Sequence, residues 1–296
     1  MRASRTFFAR DALEVAPELL GAHLTISSPE GDITVRITET EAYHGLGTGQ
    51  VHDAGSHARM GKTARNATMF GEPGHLYVYF SYGMHNAVNV VCSPEGVASG
   101  VLLRAGEIVA GEDLARSRRP AAKTSRDLAR GPGRLAQALG LVYTEHDGMD
   151  ALSDTMPPSS GSGEPPASED AGDERLAAEN SDKERLAADG SDDMRLEAEN
   201  SGDERLEGHG SDEERFEADG SDEERLEAKR SLDQRTRAFL ELPDVPPAHI
   251  TRGPRTGVSG EAGSDAFPWR FWITDDPTVS PYRPAAPRKP RRAGTV

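Results

Sequence analysis

Glu39, Glu41 and Tyr43 are the side chains whose types and spacing best suit chemistry. They continue residues 33–38, where apolar and polar side chains alternate with the period of a half-buried strand. If that strand stays straight, both carboxylates extend its apolar row. A carboxylate at the rim of a core is costly unless it is paired or used in chemistry. The alternative is a strand that ends at Thr38, with two solvated glutamates in a loop, and this segment alone leaves both interpretations open.

Tyr77, Tyr79 and Tyr82 lie within six residues, although the chain has only 6 tyrosines. An alternating aromatic strand usually belongs to a core or a sheet surface. Tyr82, however, falls at the predicted end of the strand, beside Gly83. An exposed aromatic ring at a turn can act as a wedge between bases.

A basic loop precedes these tyrosines. Arg59, Lys62 and Arg65 alternate there with small and polar residues, a pattern that suits contacts to backbone phosphates but is also common in exposed loops. Further along, Gly131-Pro132-Gly133 opens a predicted helix and either offers N–H groups to an anion or forms an ordinary tight turn.

Composition limits the class of protein. The 296 residues suffice for one large domain or two small ones. The formal charge is −16, but all of the acidic excess lies in residues 151–230 and the rest is slightly basic, so a polyanionic partner is not excluded. Cys92 is the only cysteine, which excludes an intrachain disulfide and fits a reducing cytosol. The sequence shows no signal peptide and no membrane span, so we expect a cytoplasmic protein.

The elements predicted around these residues form a mixed set. A helix begins after Asp11 and is closed by Gly21, and a second covers residues 135–141. An aromatic strand at residues 268–273 is expected to complete the sheet. The other predicted strands cover residues 23–26, 33–38, 76–80, 88–91 and 101–105.

Residues 151–232 repeat a ten-residue acidic unit, of which Asp173-Glu174-Arg175-Leu176 is the first example. Each unit offers one large apolar residue, and successive ones rotate by roughly 80° around a helix, so no stripe forms. We expect a disordered insertion. It serves either as a spacer or as an acidic interaction element with a partner of its own. It separates residues 1–150 from residues 233–282, and a basic flexible tail follows at residues 283–296.

Taken together, the motifs resemble those of the alkyladenine (3-methyladenine) DNA glycosylase family. The resemblance covers nearly all of residues 1–150 and 240–282. Its matching segments, in order, are Glu39–Tyr43, Asp53, His57, Thr63–Asn66, Met69-Phe70, Pro73–Tyr79, Tyr82–Met84, Asn89, Val101–Ala105, Gly131-Pro132, Leu135, Gln137–Leu139 and Pro268–Phe271.

The resemblance implies a single α+β domain around a curved, mainly antiparallel sheet with flanking helices. It implies a monomer that excises alkylated purines, chiefly 3-methyladenine, from double-stranded DNA without a cofactor or metal. Glu41 is similar to the general base for water attack at C1′, and Arg104 and the Val258 carbonyl to groups that hold that water. The remaining assignments are base-pocket residues Tyr43, His57, Tyr79 and Asn89, an intercalating Tyr82, and phosphate contacts from Arg59, Lys62 and Arg65.

Lys62 is the only lysine near these motifs, so a Schiff-base lyase reaction is not expected. Ala64 and His85-Asn86 depart from residues frequent in the family, which affects the expected range of substrates more than the reaction type. Two other hypotheses remain. One is a non-catalytic nucleic-acid-binding protein that keeps the fold, against which the intact Glu41 argues. The other is an interaction protein that works through the acidic repeat.

Overall fold

The computed structural model describes residues 1–46, 52–81, 84–152 and 236–285. In chain order the helices are α1 (Arg5–Phe8), α2 (Ala12–Glu18), α3 (Glu112–Arg118), α4 (Pro132–Leu139) and α5 (Tyr143–His146). The strands are β1 (His23–Ser28), β2 (Gly31–His44), β3 (Leu76–Ser81), β4 (His85–Cys92), β5 (Ser99–Ala110), β6 (Arg237–Glu241), β7 (Ile250–Gly253) and β8 (Arg270–Ile273). Short 3₁₀ helices cover Ala64–Phe70, Ser125–Asp127 and Glu261–Gly263.

One curled antiparallel sheet organises the described residues. Its strand order is β3-β4-β5-β2-β1-β6, while β8 pairs with both β2 and β7. Because β6 pairs with β1 and β8 with β2, residues 236–285 build the same sheet as the first 152 residues. The predicted α+β class with a curved antiparallel sheet and flanking helices is confirmed.

The main core lies between one face of this sheet and the helices. α2 begins at Asp11, whose side chain accepts a hydrogen bond from the amide of Leu13, as expected of an N-cap residue. Ala12, Val15 and Ala16 on this helix are fully buried against the sheet. Leu135, Ala136, Ala138 and Leu139 of α4 join the same core, so the helical periodicity read from the sequence is confirmed at both places.

β2 runs through the two glutamates instead of ending at Thr38, so the loop interpretation is wrong. The straight-strand expectation is also wrong, since the pairing of β2 with β5 shifts register between Ile37 and Glu39 and again between Glu39 and Thr40. Such an irregularity exchanges the faces to which the following side chains point. Thr40 therefore bonds to the carbonyl of Ala16 in α2, and the glutamates lie on the opposite face.

Five of the named helices and strands were not predicted from the sequence: α1, α3, α5, β6 and β7. They are short, and β7 has two exposed residues, Ile250 and Arg252, around the half-buried Thr251, so its sequence shows no apolar alternation. The expected acidic insertion falls outside the described residues from position 153 to its end, as do Tyr82 and residues 286–296 of the basic tail. No helix in the described part of the chain is long and apolar enough to cross a membrane.

Candidate active site

The face of the sheet opposite the main core carries the candidate site. In antiparallel pairs, residues directly opposite one another share a face. Glu41 lies opposite Leu102, Leu102 opposite Asn89, and Asn89 opposite Tyr77. One row therefore crosses four strands and brings four residues from the predicted motifs to the same surface.

Glu41 lies in this row with no solvent-exposed surface in the free protein. Its Oε2 accepts hydrogen bonds from the Tyr43 hydroxyl at 2.8 Å and from Arg104 Nη1 at 3.2 Å. Its Oε1 accepts one from the backbone amide of Thr256 at 2.7 Å. Three donors from three parts of the chain therefore fix the orientation of this carboxylate.

Arg104 joins Glu41 to the second buried glutamate. Its Nε donates to Glu39 Oε1 at 2.9 Å, and Arg270 Nε donates to the same oxygen at 2.6 Å. Burial raises the pKa of Glu39, but the two guanidiniums and hydrogen bonds from Ser280 outweigh it and hold the pKa below its ordinary value. Glu39 is thus an ionised structural partner of both arginines.

Asp53 and Arg255 form a separate buried pair beside Tyr43. Arg255 donates to both carboxylate oxygens, at 2.7 and 2.6 Å, and both side chains are fully buried. The guanidinium also lies 4.5 Å from the ring centre of Tyr43, so it covers one face of that ring. The pair accounts for Asp53 structurally, and Arg255 is a site residue that the sequence motifs did not indicate.

The buried charges balance. Among the described residues, the buried carboxylates and guanidiniums are Glu39, Glu41, Asp53, Arg104, Arg255 and Arg270. Charges removed from water need partners of this kind. Tyr43 adds no charge, because burial and the neighbouring Glu41 raise the pKa of its phenol well above its ordinary value.

Val258, the expected carbonyl ligand of the water, lies two residues beyond the loop position that contacts Glu41. Its carbonyl oxygen packs so closely on Gly263 that any side chain there would collide with it. No hydrogen bond between described residues joins Val258 to Glu41 or Arg104. Thr256 makes the loop's contact with the carboxylate, and no pattern in the sequence distinguished the two positions.

Tyr77 of this row packs with two further aromatic side chains, His57 and Tyr79. The His57 ring packs edge-on against Tyr79, with ring centres 4.6 Å apart, and Tyr79 stacks on Tyr77 at 5.5 Å. Partial burial, together with Arg65 and Arg59, lowers the pKa of His57, so its ring is neutral at pH 7. Tyr77, buried at 1% exposure, bonds to His57 and supports the other two rings.

Asn89 is buried in the same row, and its amide nitrogen donates to the Tyr77 carbonyl at 3.2 Å. This contact fixes the side chain at the floor of the face that carries the aromatic rings. Asn66 holds the loop above it, donating to the carbonyls of His57 and Gly61. The Asn89 side chain and the loop that carries His57 are therefore positioned by hydrogen bonds as well as by strand pairing.

Arg59, Lys62 and Arg65 are exposed on the loop and 3₁₀ helix that follow His57. Arg59 donates to the Ser56 carbonyl and Arg65 to the Phe80 carbonyl, while the Lys62 ammonium lies 5.9 Å from the Phe70 ring centre. All three side chains therefore keep their positive charge exposed on the loop beside the aromatic cluster. Within the described ranges, no group of three histidine, cysteine or acidic side chains has the arrangement of a metal site.

Fold and site together define an α+β protein that holds a buried carboxylate beside a cluster of aromatic side chains and an exposed basic loop. Residues 6–168 match the family model described as methylpurine-DNA glycosylase. A Streptomyces avermitilis protein named "Putative 3-methyladenine DNA glycosylase" is 40% identical over 97% of this chain and 95% of its own length. One from Leifsonia xyli with the same name is 40% identical over 94% of this chain and 92% of its own. The chain belongs to the methylpurine-DNA glycosylase family, a family of DNA repair glycosylases.

Proposed function

We propose that this glycosylase flips alkylated purines, chiefly 3-methyladenine, out of double-stranded DNA and excises them by water attack at C1′. The observation that carries the proposal is the fully buried Glu41, held by three donors on the same face as the aromatic cluster. A buried carboxylate with a remaining acceptor position can bind a water and take its proton.

The proposed reaction is a balanced hydrolysis. The water oxygen bonds to C1′ while the C1′–N bond breaks. The electron pair of the broken bond stays with the base. The proton of the water goes to Glu41. A 3-alkylated adenine carries a positive charge in the nucleotide and leaves as a neutral base, so departure needs no proton donor. No lysine amine takes part, and the product is an abasic site.

Each pocket residue has a proposed role. Arg104 and the loop at residues 256–258, including the Val258 carbonyl, hold the water. Tyr43, His57 and Tyr79 stack on the flipped base, and Asn89 disfavours a guanine amino group. The proposed stacking face of Tyr43 is the one opposite Arg255, whose guanidinium lies 4.5 Å from the ring centre. An electron-poor, cationic purine gains most from such aromatic faces.

The DNA contacts follow from the position of the exposed basic loop. Arg59, Lys62 and Arg65 would neutralise phosphates beside the pocket. Tyr82, between β3 and β4, would fill the gap left by the flipped base. Phe80 and Met84, on either side of that position, are both partly exposed large apolar side chains that could pack against the unstacked step. We propose that the protein acts as a monomer in the bacterial cytoplasm.

The test is release of free base from methylated duplex DNA, with the released bases identified by chromatography and the DNA then split into two portions. One portion receives hot alkali and the other does not. Release of 3-methyladenine with strand breaks only after alkali supports a monofunctional glycosylase. Breaks without alkali would indicate a lyase. Tight binding of methylated DNA with no base release would favour the non-catalytic alternative.

A further inference from the structure

Glu39 is a second buried carboxylate that the proposed reaction does not use. It accepts four hydrogen bonds, from Arg104 Nε, Arg270 Nε, and both the amide and the hydroxyl of Ser280, at 2.6–3.0 Å. A carboxylate has about four acceptor positions, so Glu39 has none left for a water. Glu41 accepts three hydrogen bonds from the described residues, which leaves one of its acceptor positions open for a water.

The two carboxylates share one guanidinium. Arg104 donates to Glu39 through Nε and to Glu41 through Nη1, so the position of Glu39 decides how Arg104 meets Glu41. Arg270 brings a second positive charge to the same Glu39 oxygen. The neighbouring Arg255 also interacts electrostatically with Glu41, but both of its Nη atoms are paired with Asp53, whose negative charge offsets it.

We propose that Glu39 is a positioning residue of the reaction, whose negative charge offsets Arg104 and Arg270 so that Glu41 stays basic enough to accept the proton of the water. The inference rests on the proposed function. Tyr43 is neutral and Asp53 is already paired, so among the described groups around Glu41 only Glu39 can supply this charge. A carboxylate facing uncompensated guanidiniums is a weaker base.

Glu39 also anchors the segment at residues 278–283. Ser280 is bound to it twice, and Arg270 Nη2 donates to the Ser280 carbonyl at 2.8 Å. Arg283 in that segment accepts a hydrogen bond from the amide of Gly257, next to Thr256. Position and charge are therefore coupled, and a test must separate them.

The pH profile of single-turnover excision separates them, because a normalised profile does not depend on the folded fraction. Glu39→Gln removes a negative charge, so Glu41 takes up its proton at lower pH and the acidic side of the pH–rate profile shifts to lower pH. Arg270→Gln removes a positive charge, so the same side of the profile shifts to higher pH. Glu39→Asp keeps the negative charge, so the acidic side of its pH–rate profile should coincide with that of the wild-type protein. We expect the plateau rate of Glu39→Gln to fall about tenfold, less than loss of the base itself would cost.

A second readout does not depend on activity. The carboxyl carbon of Glu41 can be titrated by NMR in glutamate-labelled protein, and Glu41→Gln assigns its signal. Displacements of the Glu41 titration in opposite directions in Glu39→Gln and Arg270→Gln support the inference. If the wild-type protein nevertheless releases no base, only the proposed function is rejected and the inference stands. Unmoved titrations with lowered melting temperatures would show a purely structural role. If Glu39→Gln does not fold, an unmoved Glu41 signal in Arg270→Gln overturns the inference.

Discussion

The backbone amide of Thr256 donates to a carboxylate oxygen of Glu41 across 2.7 Å, although 215 positions separate the two residues. The proposed base therefore lies on β2 but is oriented in part by the C-terminal portion of the chain. The same portion supplies Arg255, Arg270 and Ser280. The orientation of the Glu41 carboxylate therefore depends on both the N-terminal and the C-terminal part of the folded chain.

Glu41→Gln should leave the fold and lesion binding in place while excision falls by about 10²–10⁴-fold. The amide keeps the shape of the side chain but cannot accept the proton of the water. Single-turnover excision and binding to a lesion-containing duplex measure the two effects. Glu95→Gln, at an exposed site, is the matched control. Near-wild-type excision by Glu41→Gln would remove Glu41 from the role of base.

Asp53→Asn should lower the free energy of unfolding by about 3–5 kcal/mol, because it leaves the fully buried Arg255 without a charged partner. Urea unfolding measures this loss, and Asp265→Asn, at an exposed position, should change stability little. Excision should also fall, since Arg255 supports the ring of Tyr43. Unchanged stability would mean that water reaches the pair or that Arg255 finds another partner.

The sequence predicted local structure and motif residues better than long-range contacts. Alternation along residues 33–38 identifies a strand, but nothing in it reveals the irregularity at Thr38 that exchanges its faces. The pairing of Asp53 with Arg255 joins two loops 202 positions apart, and neither loop has a periodic pattern. Such contacts depend on how the strands order in the sheet, which local spacing does not encode.

The same limit applies to the candidate site. Glu41, Tyr43, Tyr79 and Asn89 could be assigned from the family resemblance, and the structure brings them to one face of the sheet. Their chemical roles remain predictions. Glu39 had no role assigned from the sequence, because a buried carboxylate and a solvated one look alike until their donors are known. Its partners come from β5, β8 and the segment after β8.

His57 should make the protein less stable at mildly acidic pH. Partial burial, Arg65 and Arg59 lower its pKa from 6.5, so below that value the unfolded chain takes up a proton that the folded chain resists. Stability is therefore lost as the pH falls below about 6.5, and His57→Gln should reduce this loss. Melting temperatures of both proteins between pH 5 and pH 8 test it. Parallel curves would show that another group causes the slope.

Tyr82→Ala should weaken excision of every lesion by a similar factor and change the preference among lesions little. The proposed wedge acts on the base stack, outside the pocket formed by His57 and Tyr79. The rates for two or more alkylated bases in the same sequence context test this expectation. A change in preference without a general loss of rate would place Tyr82 in the pocket.

Deleting residues 155–230 should leave a folded and active glycosylase. The flanking residues already meet on the sheet, because Leu152 forms a bridge with Phe239 and the amide of Leu240 donates to the Ala151 carbonyl at 3.0 Å. The link left between Leu152 and Thr236 is long enough to join them at about 3.3 Å per residue. A single melting transition near the wild-type temperature would agree with this expectation, and loss of solubility or of cooperativity would show that the segment is structural.

The same deletion should tighten DNA binding at low salt. It removes a net charge of −16, equal to that of the whole chain, and a tethered polyanion competes with DNA for the basic side chains Arg59, Lys62 and Arg65. Salt screens this competition, so the affinities of the deletion variant and the full chain should converge as salt rises. Titrations of one duplex at several salt concentrations measure both slopes. Equal affinity at the lowest salt would show that the acidic segment stays away from the DNA-binding face.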